Sequence, residues 1–317
     1  MACMSKHKRK LLSPEKLKTY SLNSRESKVD VRDFARLTTK ESSIAQFLNN
    51  LPNVLAAKDF KQFLSLMGKA KERKRAIIFA LGAHVIKVGL SPVVIELMRR
   101  GWVTSLALNG AGIIHDFEIA FCGKTSEDVE TQIREGKFGM AQETGEMLNE
   151  AINAGAEEGL GLGEAVGRMI SSSSLPHRDK SLLATSYELS IPATVHVALG
   201  TDTIHFHPKS KGEAVGKTSL KDFFLFCSLV EDLDEGGVLI NIGSAVILPE
   251  VFLKALTFVR NKGIPCDDFT TAVFDFNYHY RPYQNVVKRP VSEKGRGYYF
   301  VGHHEIMIPL LASSLLG

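Results

Sequence analysis

The sequence predicts an α/β fold with a doubly wound, mostly parallel sheet that has helices on both faces. Six short apolar runs alternate with helical segments along the 317 residues. Several of these runs are apolar on both faces, as strands are when helices cover both sides of a parallel sheet. This alternation is typical of βαβ units with right-handed crossovers. The expected architecture is therefore Rossmann-like.

The predicted strands are short and rich in β-branched and aromatic residues. Before the first of them, apolar residues recur at helical spacing over residues 43–72. Together the runs account for a sheet of at least six strands. They are Ala76–Leu81, Val103–Leu108, Ala193–Leu199, Val238–Ile242, Ala272–Phe276 and Tyr298–Val301.

Helical segments separate most of the strands. The first opens with Ser91-Pro92, a capping residue followed by proline at the first helical position. The glycine-rich stretch 159–163 interrupts a helical middle region, which we interpret as an insertion between the two halves of the sheet. The predicted helices are Ser91–Arg100, Thr125–Ala154, Leu220–Leu233, Pro249–Asn261 and Glu305–Leu316.

Composition predicts one globular domain over residues 41–317 behind a flexible, basic N-terminal arm, residues 1–40. Hydrophobic residues make up 44% and charged residues 23% of the chain, which is ordinary for a globular protein. The net charge of +4 is concentrated in the run Lys6–Lys10. A solvated tail is favoured over a nucleic-acid or nuclear-targeting role because Tyr20 is the only nearby aromatic residue. We expect no nucleic-acid partner.

The chain is expected to be cytoplasmic. Its four cysteines form no CxxC pair and no metal-ligand spacing, which favours reduced thiols. No apolar stretch follows the basic run, so no signal peptide is expected. No run approaches the roughly 18 apolar residues of a membrane span, so no membrane partner is expected.

Glycine and polar residues follow four predicted strands, where a doubly wound sheet holds its ligands. Glycine there lets backbone N–H groups approach a phosphate closely. Each glycine alone is more often just a turn, and the sequence has no GxGxxG fingerprint. Four such ends in succession nevertheless favour a ligand site. They are Gly82–His84, Asn109–Gly112 before His115-Asp116, Leu199–Asp202 before His205 and His207, and Asn241–Ser244.

Two histidine groups and one lysine have alternative interpretations. His205 and His207 would share one face of a strand, but no third or fourth ligand stands at a typical spacing, so no metal is expected. The same holds for His303-His304. Lys288, in a predicted loop between late strands, is either solvated or able to form an imine with an oxidised amine if its pKa is depressed.

Taken together, these segments resemble the deoxyhypusine synthases. The resemblance runs in segments from about residue 75 to the C-terminus. Members of that family use NAD to oxidise spermidine, pass an aminobutyl group to an active-site lysine, and then transfer it to a lysine of a translation factor. They are homotetramers with NAD at dimer interfaces. The matching segments are Leu81–Leu90, Asn109–Asp116, Leu199–Phe206, Gly237–Val246 and Pro309–Leu311.

The resemblance implies NAD as cofactor, a small amine as substrate, a protein lysine as acceptor and a homotetramer. Lys288 is the nearest match to the imine-forming lysine, Asp116 matches an acidic contact of amine and cofactor, and Asp202 matches an amine-binding aspartate. His84, His115 and His205 are candidates for a base near neutral pH. The implied cofactor contacts are Ala83, His84, Lys87, Gly110, Ala111, Gly112, His196, Gly243, Ser244, Asp275, Phe276, His303 and His304.

Departures from the family pattern predict an altered substrate. The paired histidines, one of which acts as base in the family, are replaced by Leu248-Pro249, and the aspartate-rich polyamine loop by Asn277–Tyr280. We favour an NAD-dependent transferase because ionisable residues still crowd the strand ends. The alternative is a catalytically divergent paralogue that binds NAD or another ligand without the family reaction.

Overall fold

The computed structural model describes residues 12–317, which are built on a six-stranded sheet with every strand parallel. The spatial order is β3-β2-β1-β4-β5-β6, so the order reverses between β1 and β4, as in the Rossmann fold. This confirms the predicted fold class and all six strands. Their bounds are β1 Ile77–Leu81, β2 Ser105–Asn109, β3 Ala193–His196, β4 Gly237–Ile242, β5 Phe269–Asp275 and β6 Arg296–Val301.

Thirteen α-helices are present in the described part of the chain. The helices up to the third strand are α1 Ile44–Asn50, α2 Leu55–Glu72, α3 His84–Lys87, α4 Ser91–Arg99, α5 Gly110–Cys122, α6 Val129–Arg134, α7 Gln142–Glu158, α8 Leu162–Ser171 and α9 Leu182–Glu188. Those that follow are α10 Gly212–Glu231, α11 Ile247–Asn261, α12 Tyr280–Pro282, which continues as a π-helical turn over Tyr283–Lys288, and α13 His304–Leu316.

Helices cover both faces of the sheet, and strand β1 shows this directly. Ile77, Phe79 and Leu81 enter one apolar cluster, which also contains side chains of α2, α4, α5 and α13. Ile78 and Ala80 enter a second cluster, formed chiefly with α10 and α11. Successive side chains of a strand point to opposite faces, so the continuous apolar run in the sequence reflects burial on both sides.

Asp222 of α10 joins the edge strand β3 to helix α8. Its Oδ2 accepts hydrogen bonds from the backbone N–H of Gly163 (2.9 Å) and of Val195 (2.7 Å). Burial raises the pKa of Asp222 to about 7. The bond to Val195 satisfies a backbone donor that an edge strand would otherwise leave unpaired.

Two sequence predictions about the middle region are wrong. The predicted helix Thr125–Ala154 is two helices, α6 and α7, because Gly136 and Gly139 between them adopt φ of +68° and +74°, outside the helical region. The glycine-rich stretch 159–163 does separate two helices, α7 and α8. However, the helical region lies between β2 and β3, within one half of the sheet rather than between its halves.

The N-terminal segment carries little regular structure. Residues 12–43 contain two short 3₁₀ turns, Leu22–Ser24 and Val31–Asp33, and most of their side chains are exposed. The basic run Lys6–Lys10 lies outside the described residues. The division at residue 40 therefore stays a prediction.

Every helix within residues 12–317 is too short or too polar to cross a lipid bilayer.

We predict that Gly163→Ala destabilises the fold, because a Cβ there would overlap the backbone carbonyl oxygen of Ala193 at the start of β3. The expected loss in the free energy of unfolding is about 1–3 kcal/mol, as for other overpacked sites. The matched control is Gly216→Ala in α10, where no atom lies within 4 Å of the added Cβ. It should raise stability by up to about 1 kcal/mol. Urea unfolding checks both, and equal stability of Gly163→Ala and wild type would contradict the packing argument.

Candidate functional site

Four predicted site residues come together where the strand order reverses, which is where open α/β sheets bind ligands. His84 follows β1, Gly243 follows β4, Phe276 follows β5 and His304 begins α13. We name this group of four residues the crevice. They lie far apart in the sequence, and the parallel sheet places them at one edge.

The turns after β1 and β4 touch at the floor of the crevice. The N–H of Gly82 donates to the carbonyl of Ile242 (2.8 Å), and a Cβ on Gly82 would overlap the carbonyl of Gly243. Gly243 has φ of +66°, and a Cβ there would come within 2.7 Å of the His304 ring. Only glycine fits these two positions without moving the backbone or the histidine.

Three aromatic rings form the walls of the crevice. The His84 centroid lies 5.3 Å from that of His304 and 5.7 Å from that of Phe276. His304 is fully buried, and its Nε2 lies 3.3 Å from the Phe274 carbonyl, which only accepts, so Nε2 carries the proton. Nδ1 of His304 is then a buried acceptor without a hydrogen-bond partner among residues 12–317. Burial lowers the pKa of His304, which keeps the ring neutral.

Other predicted contacts near the crevice serve local structure. The Ser244 hydroxyl accepts from the N–H of Leu248 near the start of α11 (3.2 Å). Asp275 is buried at the end of β5, with its Oδ1 3.7 Å from Nε2 of His279. His303 lies at the surface, directly before α13. Their cofactor roles stay predictions.

A second group of predicted residues lines a neighbouring pocket of about 180 Å³, which we name the polar pocket. It lies beside α5, the helix that starts directly after β2. Part of its wall comes from the segment that follows β3. Its lining includes Lys87, Ala111, His115, Glu118, Glu127 and Asp202.

A chain of hydrogen bonds fixes the tautomer of His115 in the polar pocket. The Thr125 hydroxyl donates to Glu118 (2.5 Å), so it must accept from Nδ1–H of His115 (2.6 Å). Burial, with a smaller contribution from the charge of Lys87, lowers the pKa of His115 to about 4. At neutral pH the Nε2 of His115 is therefore unprotonated and can accept a proton.

Asp202 is the unsatisfied carboxylate of the polar pocket. Its side chain is 6% exposed, and its Oδ2 has no hydrogen-bond partner within the described chain. A Cβ on Gly110 would overlap this oxygen, so the carboxylate lies directly against the first turn of α5. Nε2 of His205 lies 3.9 Å away, beyond hydrogen-bonding range. Burial raises the pKa of Asp202 to about 6.

The position of Asp202 changes the expected role of the glycines at the start of α5. We predicted that Gly110, Ala111 and Gly112 contact the cofactor. Instead, the N–H of Gly112 donates to the side chain of Asn109 (3.1 Å), and Gly110 packs under Asp202. An acidic side chain thus stands where a phosphate would bind a helix N-terminus.

Asp116 lies away from both groups and caps a helix. The carboxylate is fully buried and accepts from the Ser181 hydroxyl (2.5 Å) and from the N–H groups of Leu182 (2.7 Å) and Leu183 (3.1 Å) at the start of α9. Burial raises the pKa of Asp116 to about 6 against these hydrogen bonds. The structure does not bring it to the amine site that the resemblance implies.

His196 also points away from the site. It is the last residue of β3, and its ring packs edge-on against Phe226 of α10 (5.2 Å) and lies 3.0 Å from the Thr194 hydroxyl. Burial lowers the pKa of His196 to about 3. The structure gives it a neutral packing position in the core.

Lys288 lies near the other end of the sheet. It ends the π-helical turn, where the carbonyl of Val286 accepts from Thr271 (2.7 Å) and the carbonyl of Val287 lies against Gly297. Thr271 and Gly297 belong to the amino-terminal parts of β5 and β6, and four residues of strand separate Thr271 from the crevice edge, about 13 Å. The predicted loop is wrong, and within one chain Lys288 does not reach the crevice.

The predicted histidine pair 205 and 207 is not on a strand. His205 lies in a 3₁₀ turn, Thr203–Phe206, and His207 follows it. Nδ1 of His205 accepts from the N–H of Gly200 (3.2 Å). Residues 12–317 contain no group of three or more His, Cys, Asp or Glu side chains arranged for a metal ion.

Sequence reasoning missed two members of the polar pocket network, Glu118 and Thr125. Glu118 follows His115 by three residues on α5, a spacing that places both on one helix face. That spacing is visible in the sequence. The chain turns back after α5 at Gly123, which has a left-handed φ of +70°, and this turn brings Thr125 to His115 and Glu118. No pattern in the neighbouring sequence predicts that contact.

Comparison with solved structures finds a shared fold. A protein assigned as a deoxyhypusine synthase from Entamoeba histolytica aligns with a TM-score of 0.53 and 12% identity, over 87% of this chain and 94% of that one. ArgZ, an arginine dihydrolase from cyanobacteria, aligns with a TM-score of 0.47 and 14% identity over 81% of this chain. AgrE, solved with ornithine and NAD⁺, has a TM-score of 0.47 and 16% identity over 81% of this chain.

The first of these similarities shows a shared fold and nothing finer. This chain spans 31% of ArgZ and 32% of AgrE, about a third of each. No family model matches the chain, and no curated protein sequence matches it. The described residues thus share an architecture with a deoxyhypusine synthase-type protein, and the reaction has to be argued from the site.

We predict that His115 stays neutral and in the Nδ1–H form down to about pH 4, because burial and Lys87 disfavour its cation. Thr125→Val removes the acceptor of Nδ1–H and should give a mixture of tautomers, whereas Thr125→Ser should keep the wild-type form. Long-range ¹H–¹⁵N NMR reports both the tautomer and the titration. A wild-type His115 that titrates near its ordinary pKa of about 6.5 would contradict the assignment.

Proposed function

We propose that this chain binds NAD in the crevice and uses it to oxidise a small amine held in the polar pocket. The observation that carries the proposal is the arrangement at the strand-order reversal, where an aromatic crevice adjoins a pocket with a base and an unpaired carboxylate. Perturbed ionisable groups in a cleft of this kind are typical of active sites.

The residues of the crevice fit a flat, amide-bearing ring. His84 and Phe276, which are partly exposed, offer ring surfaces for stacking. The orphaned Nδ1 of His304 is an acceptor that a carboxamide N–H would satisfy. Lys87, exposed at the end of α3 and without an ion pair in residues 12–317, offers the nearby positive charge that phosphate groups need.

The side chains divide the work of amine oxidation between them. Bound NAD supplies the hydride acceptor. Asp202 pairs with the substrate ammonium and orients it. Nε2 of His115 takes one of the N–H protons, and the freed nitrogen lone pair then displaces a hydride from the neighbouring carbon, which leaves a protonated imine. Thr125 and Glu118 hold His115 in the tautomer that this proton transfer requires. Loss of one hydride and one proton balances the oxidation.

The position of Lys288 restricts the transfer step of the family reaction. Within one chain the lysine is too far from the crevice to receive the carbon chain. Transfer through Lys288 would need that residue from another copy in the predicted homotetramer. The proposed reaction of a single chain is therefore oxidation alone.

A second candidate function is ligand binding without catalysis. It is favoured by Leu248 and Pro249, which are buried where the family has its histidine pair, and by Asp116, which caps α9. An inactive paralogue would keep the crevice and lose the amine chemistry. The two candidates differ in whether an amine reduces bound NAD.

We predict that NAD binds the full chain and that His84→Leu weakens binding by about tenfold or more. Loss of one ring-stacking partner costs about 1–3 kcal/mol, and 1.4 kcal/mol is tenfold. The matched control is His177→Leu, which removes an exposed histidine outside both groups. Isothermal titration calorimetry measures the dissociation constants.

Two results would contradict the proposal: no heat of binding at millimolar NAD, or equal weakening by the two histidine variants. NADH fluorescence with a panel of primary amines then separates the candidates. Appearance of NADH fluorescence supports NAD-dependent amine oxidation. NAD binding without NADH formation supports the binding function.

A further inference from the structure

The segment between β5 and α12 presents two tyrosines to solvent, outside both the crevice and the polar pocket. Tyr278 is 58% exposed and Tyr280 is 66% exposed. With Phe276, which is 45% exposed, they form a run of exposed aromatic residues along the chain. A contiguous group of exposed apolar side chains is uncommon on a single chain and marks an interaction site.

Neighbouring residues hold the ring of Tyr278 in a fixed position. Its centroid lies 4.7 Å from that of Tyr299 and 5.1 Å from that of Tyr283. The Tyr299 hydroxyl donates to the carbonyl of Asn277 and accepts from the N–H of His279, each at 2.9 Å, which fixes the backbone on both sides of Tyr278. Burial raises the pKa of Tyr299 to about 12, so the hydroxyl keeps its proton. A ligand ring can therefore stack here without first ordering the segment.

Arg289 places a cation beside the second tyrosine. Its Nη1 donates to Oδ1 of Asn285 (2.8 Å) and its Nη2 donates to the Tyr280 hydroxyl (3.4 Å). No carboxylate among residues 12–317 forms an ion pair with Arg289. The guanidinium has five N–H donors in a planar fork that matches a phosphate, so several donors remain for a ligand.

The other charges around these residues leave the surface positive. Glu250 forms ion pairs with Lys254 and with Arg281 (3.6 Å), so its charge is compensated by two cations. Asp275, at the end of β5, is 1% exposed and does not present its carboxylate to solvent. The charge that lacks a counter-ion is that of Arg289, and Arg281, with 54% of its side chain exposed, can add a second cation.

We propose that Tyr278, Tyr280, Arg281 and Arg289, which we name the tyrosine surface, bind a nucleoside monophosphate. The base stacks on a tyrosine ring, and the phosphate pairs with the arginines. Stacking suits every base because each has a π-face, and arginine is well matched to phosphate. The inference goes beyond the proposed oxidation and does not depend on it, because it uses no residue of the crevice or of the polar pocket.

Other ligands satisfy only part of the tyrosine surface. Inorganic phosphate pairs with the arginines and leaves both rings in water. A neutral aromatic molecule covers a ring and leaves Arg289 without a counter-ion. A polyamine is repelled by Arg289 and finds Glu250 already paired. A ligand with a flat ring and a phosphate uses both kinds of side chain.

Calorimetry without NAD tests this assignment with three matched probes: AMP, adenosine, which lacks the phosphate, and inorganic phosphate, which lacks the base. AMP should bind tenfold or more tightly than either of the other two. A fourth probe, the hexanucleotide oligo(A), distinguishes the source of the nucleotide. Binding tenfold or more tighter than AMP assigns the surface to a nucleotide unit of a single strand, and binding no tighter than AMP assigns it to a free nucleotide.

Variants then locate AMP on the chain. Arg289→Met should reduce the affinity for AMP to that for adenosine, and at least one of Tyr278→Leu and Tyr280→Leu should weaken AMP binding tenfold or more. The matched controls are Arg134→Met on α6 and Tyr187→Leu on α9, which are exposed elsewhere and should change nothing. Melting temperatures near that of wild type establish that the variants are folded.

AMP binding no tighter than that of adenosine, or unchanged AMP affinity in Arg289→Met, would overturn the assignment. AMP is also one half of NAD, so His84→Leu supplies a further control. Loss of AMP binding in His84→Leu but in neither tyrosine variant would place AMP in the crevice and would overturn the assignment as well. Absence of NAD binding with intact AMP binding would instead sink the proposed oxidation and leave the tyrosine surface standing.

Discussion

The backbone contact between the turns after β1 and β4 is the constraint on which the candidate site depends. Gly82 and Gly243 approach too closely for either to carry a side chain, and the left-handed φ of Gly243 leaves space for the ring of His304. The contact lies where the strand order reverses, so the turns close the floor and diverge above it. The rings of His84, Phe276 and His304 then pack against one another, with centroids 5.3–5.8 Å apart.

Three buried aspartates show how the fold separates structural carboxylates from a ligand-binding one. Asp116 accepts two backbone N–H groups at the start of α9, and Asp222 accepts one at the start of α8 and one from strand β3, which compensates for their burial. Asp202 also lies against the start of a helix, yet one of its oxygens has no hydrogen-bond partner in the described part of the chain. All three have a pKa raised by burial, so the hydrogen-bond partners and not the pKa distinguish Asp202.

Much of the fold could be predicted from the sequence because both faces of the strands are buried. Each strand therefore consists of a continuous run of apolar residues that is visible in the sequence. The strand ends at Gly82–His84 and Asn241–Ser244 also predicted the edge at which the crevice lies. The position of Lys288 could not be predicted in this way. It depends on the path of the chain between β5 and β6, which a π-helical turn carries back along the sheet.

The role of Asp116 was equally invisible, since its neighbour His115 lies on the pocket while Asp116, one residue on, points about 100° around the same helix. Adjacent residues of a helix face different surroundings. The pair His115-Asp116, which the resemblance places in one site, therefore consists of a pocket residue and a helix-capping residue. Assembly stays a prediction, and with it any contribution of a second copy to the crevice.

Hydrogen–deuterium exchange with and without NAD tests the central claim most directly, because it locates binding on the chain without any substitution. The account predicts that protection appears in peptides covering residues 82–88, 243–248 and 302–308, which meet at the crevice. Peptides at the opposite edge, residues 74–76 and 232–236, should exchange unchanged. Protection confined to that opposite edge, or absent throughout at saturating NAD, would contradict the account.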